Sequence, residues 1–109
     1  MAYDEVLAVR IREVLTEQEG VTERKMFGGI AFMVGGNMAC GVVRDHLMVR
    51  VRPDAHDEAM AQPHARPMDF NGRPMRGMIY VDPDGIASSK DLSRWVRLGA
   101  SFAASLKSK

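Results

Sequence analysis

Residues 25–38 read Lys-Met-Phe-Gly-Gly-Ile-Ala-Phe-Met-Val-Gly-Gly-Asn-Met, an apolar stretch bounded at both ends by a glycine pair. No other feature constrains the fold as much. Glycine takes positive φ and bends where a side chain would clash, so a short apolar run closed by two such pairs is strand and turn, not helix. The expectation is a strand over 25–34, a turn at Gly35, Gly36 and Asn37, a strand over 38–44, a short turn at Asp45 and a third strand over 46–52. In that third run Leu47, Val49 and Val51 alternate with Met48, Arg50 and Arg52. The first set is expected to face a helical layer and the second to point outward.

Helical spacing flanks this meander. Val6, Leu7, Ile11, Val14 and Leu15 recur at that spacing over about 4–18, with Asp4 as N-cap and Gly20 as stop. After Pro53, the segment Asp54–Ala61 favours a short helix that ends before Pro63. Met68–Phe70 then runs into Asn71 and Gly72, a strong hairpin signal, and the chain returns through 75–81. Asp82–Gly85 form a turn. Ser88 or Ser89 caps a last helix with an apolar stripe of Leu92, Trp95, Val96, Gly99, Phe102, Ala103 and Leu106, Trp95 anchoring it on the sheet, and the tail 105–109 is expected to fray. The order α-β-β-β-α-β-β-α, with short antiparallel connections, implies a two-layer α+β sandwich.

A chain of 109 residues suits one domain, 1–109, with one core. The formal charge is +1, which argues against direct nucleic-acid binding. The halves differ: residues 1–61 carry seven basic and ten acidic side chains, and residues 62–109 carry eight and four. Mutual attraction of the halves accounts for this asymmetry. The single cysteine, Cys40, excludes an internal disulfide and suits a reducing cytosol; no signal peptide or membrane span is expected, and the location expected is cytoplasmic.

The residues offer no reactive constellation. Neither glycine pair is followed by the Gly-Lys-Ser/Thr of a phosphate cradle, and His46, His56 and His64 lack zinc-ligand spacing. Cys40, at an apolar strand position, reads as an inert buried thiol. Asp54, Asp57 and Glu58 suit the N-terminus of the second helix. No catalytic, cofactor or metal residue is therefore assigned.

Taken together, the segments 25–29 (Lys25, Met26, Phe27, Gly28, Gly29), Gly36-Asn37-Met38, Leu47–Val51, Arg66–Asp69, Gly72–Met75, Tyr80-Val81 and Leu92, Trp95, Val96 resemble the TfoX/Sxy N-terminal domain family. The resemblance runs through nearly the whole chain. It implies an α+β fold similar to secretion chaperones and no catalytic or cofactor residue. Two-domain members regulate natural competence by acting on transcription with the cyclic-AMP receptor protein, and this chain looks like a short stand-alone member. The resemblance thus implies a non-enzymatic regulatory or adaptor domain with a protein partner, such as the transcription machinery.

The expected interaction surface is the outward sheet face, Arg44, Met48, Arg50 and Arg52, or the hairpin around Gly35–Met38, and the same face is a candidate for homodimerisation. The alternative is nucleic-acid binding by the basic C-terminal half through Arg73, Arg76, Lys90, Arg94 and Arg97. A small enzyme ranks below both.

Overall fold

A computed structural model describes residues 3–26, 28–70 and 73–107, without the side chains of 69, 70 and 73–76. Helix α1 spans Glu5–Val14; strands β1 (Val21–Met26), β2 (Gly29–Val34), β3 (Asn37–Val43) and β4 (His46–Arg50) follow. A 3-10 turn at Pro53–Ala55 leads into α2 (His56–Met60), then β5 (Ala65–Phe70), β6 (Arg73–Val81), a second 3-10 turn at Pro83–Gly85 and α3 (Ser89–Ser105). The strands form one antiparallel six-stranded sheet in the order β1-β2-β3-β4-β6-β5. The fold is the expected α+β arrangement.

The stretch expected as one strand over 25–34 is divided. Met26 pairs with Gly29 and Val21 with Val34, so the first glycine pair closes a hairpin, and the polar run Val21–Met26 becomes an edge strand. Gly28, at φ 74°, supplies the reversal. Gly35 and Gly36, at φ 60° and 84°, make the next two-residue turn, where positive φ at both positions matches the twist of the flanking strands. The expected turn at Asn71 and Gly72 lies outside the described residues.

Helix α1 starts where expected, with the Asp4 carboxylate accepting from the Leu7 amide at 3.1 Å. It ends at Val14, well short of Gly20. Beyond Leu15 the residues Thr16–Glu19 are polar and have no face to bury, so nothing rewards further turns. Leu7, Ala8, Ile11 and Leu15 are buried; Val6 points away at 71% exposure. In α3, Ser88 accepts from the Asp91 amide at 3.1 Å, and Leu92, Trp95, Val96, Gly99, Ala100 and Ala103 face the sheet. A Cβ on Gly99 would lie 2.2 Å from the Ala39 carbonyl oxygen, so glycine is what lets α3 rest on the backbone of β3. The tail does not fray at once: Asn37, buried at 3% exposure, donates through Nδ2 to the Lys107 carbonyl at 3.0 Å.

Two clusters of buried side chains result, one per sheet face. Between helices and sheet lie Phe32, Val42, Leu47, Val49, Val51, Ile79, Val81, Leu92, Trp95 and their neighbours. The opposite face gathers Ala31, Met33, Met48, Met68 and Met78, with Met26, Met38, Val43 and Tyr80 packed beside them. Leu47, Val49 and Val51 thus face the helices as expected, but Met48 is buried, not exposed. The reason is lateral packing: the Met48 side chain reaches over Gly41, its cross-strand partner, and Ala31 stands on the next strand.

Candidate functional site

The nucleophile that the sequence contains is sealed. Cys40 is fully buried in β3, and burial pushes its thiol up to about 12, which leaves it protonated and inert. His46 and His56 have structural partners, and His64 lies exposed before β5. His56 on α2 accepts from the Gly77 amide at 3.0 Å and so ties α2 to β6. His46 Nε2 lies 2.7 Å from an Arg66 terminal nitrogen, and Arg66 Nε donates to Asp82 at 2.7 Å. With the guanidinium as donor, Nε2 accepts and the imidazole proton sits on Nδ1. Nδ1 lies 2.7 Å from the Asp45 carboxylate but outside hydrogen-bonding alignment, and the ring packs edge-on against Tyr80. This cluster stitches β4, β5 and β6 together. Among the described residues, no three His, Cys, Asp or Glu side chains gather around a metal-sized site.

The carboxylates near α2 also serve locally. Asp54 receives Arg52 Nε at 3.2 Å, and that hydrogen bond holds its carboxyl below the usual range. At the other end of the sheet, Arg12 of α1 grips Glu23 of β1 with two bonds of 2.8 Å. The bond to Arg12 holds the Glu23 carboxyl below its ordinary value.

The four residues expected to form one surface do not share a place. Arg44, at φ 56°, sits in the turn before β4, its carbonyl accepting from the Asp4 amide at 2.6 Å. Met48 is buried, Arg52 is paired with Asp54, and Arg50 lies at the far end of β4 from Arg44. Of the basic residues in the C-terminal half, Lys90 and Arg97 lie exposed on α3, while Arg94 bonds Gln62 and covers the Trp95 ring. The side chains of Arg73 and Arg76 are outside the described residues.

What the fold does bring together is Arg50 and Met38, the last residue of the glycine hairpin. They line a hollow of about 300 Å³ with Val51, Pro53, Gly77, Met78 and Phe102. Its position follows from the strands. Pairing between β4 and β6 ends at Arg50 and Met78, and Gly77 at φ 90° bends the chain so that its carbonyl meets the Val51 amide at 2.9 Å. The C-terminal half of α3 closes one side, placing the Phe102 ring 5.3 Å from the Arg50 guanidinium carbon. Among the described residues the Arg50 side chain has no hydrogen bond and no ion pair. Sequence reasoning named Met38 and Arg50 separately; the rest of the lining escaped it, and glycine beside Met78 in a strand-like run was the available signal.

A family model for the TfoX N-terminal domain matches residues 13–103. The chain belongs to the TfoX N-terminal domain family. The comparison with curated proteins finds no match. The matched span takes in all six strands, α2 and most of α3, so the glycine hairpins and the hollow at the end of β4 lie within the TfoX N-terminal domain itself. Among the described residues no helix is long and apolar enough to cross a membrane.

Proposed function

We propose that this TfoX N-terminal domain is a non-enzymatic regulatory adaptor that works by holding a protein partner, in transcriptional regulation of the kind that competence regulators of the TfoX/Sxy type carry out. The observation that carries this reading is the hollow at the end of β4: an apolar recess with a cation, Arg50, that lies over an aromatic ring and has no ion pair among the described residues. Such a surface recognises and does not react. Apolar and aromatic contacts with one oriented charge supply affinity and register. The groups that chemistry would need are otherwise engaged, Cys40 by burial and His46 and His56 by neighbouring strands and helices.

The test is chemical cross-linking and affinity capture from native host lysate with wild type and Arg50→Glu, followed by mass spectrometry. A transcription factor or polymerase subunit captured by wild type and reduced about tenfold in the variant is the expected result, since truncating or reversing an interfacial anchor charge costs a decade or more in affinity. Equal capture by both proteins would move the partner to another surface. Sedimentation at high concentration separates self-association from capture of a different chain.

A further inference from the structure

The hollow is specific enough to state what its occupant looks like. Val51 and Met78 are buried, Met38 and Phe102 half-buried, and Pro53 forms the outer rim. Gly77 brings no free backbone polar group, because its amide donates to His56 Nδ1 at 3.0 Å and its carbonyl accepts from Val51 at 2.9 Å. Among the described residues of the lining, Arg50 alone is charged.

The Arg50 guanidinium carbon lies over the Phe102 ring, 5.3 Å from its centroid, and its N–H donors, which lie in the plane of the group, have no acceptor among the described residues. That plane matches a carboxylate bidentately, which an ammonium group does not. The two methionines flank the space with flexible, polarisable side chains that adapt to an inserted apolar group. A volume of about 300 Å³ is at the small end of ligand sites. It fits one leucine-sized side chain, and because the hollow opens to solvent, a chain can enter and leave it.

We propose that this hollow docks a short segment of a partner protein in which an apolar side chain is followed by aspartate or glutamate. The apolar group enters between Met38, Met78 and Phe102, and the carboxylate pairs with the free edge of Arg50. This rests on the adaptor reading above and specifies its partner.

The test is a titration of methyl-labelled methionines by NMR with acetyl-Ala-Leu-Glu-Ala-amide, its Glu-to-Gln analogue, and hexanoate as the free amphipathic carboxylate. The expected result is a saturable shift of the Met38 and Met78 methyls with the Glu peptide. Binding should be about fivefold weaker for the Gln peptide and for Arg50→Gln, the range expected when one half-exposed charge-assisted pair is removed. Unchanged Met48 and Met68 methyls establish that the variant is folded, and Arg50→Lys should restore only part of the loss.

Equal shifts from both peptides, hexanoate binding as tightly as the Glu peptide, or no shift at all would overturn the proposal. If it falls while the lysate partner still depends on Arg50, the adaptor reading stands and only the recognised chemistry is wrong. If no partner is captured either, both readings fall.

Discussion

The two faces of the sheet bury their side chains by different means. Toward the helices the fit is built from branched and aromatic groups, Trp95 and Phe32 the largest of them, with Gly99 allowing contact between helix and strand backbone. On the other face Met33, Met48, Met68 and Met78 cluster with Ala31, and Met48 lies over Gly41, so unbranched chains pack beside small residues. The first face specifies a geometry; the second accommodates one. That difference bears on the proposed recognition surface, because Met38 and Met78, both packed with the adaptable face, also line the hollow beside α3.

Mutation breaks the comparison most strongly at the helix interface. Trp95→Ala should cost about 3–5 kcal/mol in urea-denaturation stability, because it opens a large cavity under α3 that rigid neighbours cannot fill. On the opposite face Met48→Ala should cost about 2–3 kcal/mol, and Met48→Leu less than about 1.5, since flexible neighbours absorb a change of shape. Equal losses from Leu47→Met and Met48→Leu, adjacent positions on opposite faces, would erase the distinction.

Cys40 reports on the same interface through pH. Its thiol ionises near 9.0 when unfolded and near 12 when folded, so the unfolded state releases the proton first and stability falls as pH rises between those values. Wild type should lose about 1.4 kcal/mol by pH 10 relative to Cys40→Ala, apart from effects common to both proteins. Iodoacetamide should label the native thiol only through opening of the sheet.

The smallest effect belongs to the exposed pair that ties α1 to the edge strand. Glu23 has a lowered folded carboxyl pKa, so its contribution is present above its ordinary value near 4.5 and is lost as pH falls through the lowered one. Both partners are more than a third exposed, and Glu23→Gln should change stability at pH 7 by no more than about 0.5 kcal/mol while flattening the acid limb of the profile.

Local signals made much of this legible. Asp4 and Ser88 read as caps because a side-chain acceptor there satisfies a free amide, and both do so. The inward set Leu47, Val49 and Val51 read from period two and holds. Residues 25–38 read as a glycine-punctuated hairpin, but the expected strand runs through Gly28 and Gly29, since the strand that precedes them, Val21–Met26, is polar and exists only because β2 offers it a partner. Met48 read as outward and is outward, yet buried: alternation tells the face of a residue and not what covers it.

The sequence by itself determined most element types and the caps, because those depend on residues within a few positions of one another, and the family, through segments spread over nearly the whole chain. Tertiary structure alone decided that β6 inserts between β4 and β5, that the Arg44 carbonyl holds the Asp4 amide, and that Arg50 meets Phe102 across 52 positions of chain. A strand's neighbours and a cation's partners are chosen by packing over the whole chain, where many weak contacts add up, and no local pattern encodes that sum.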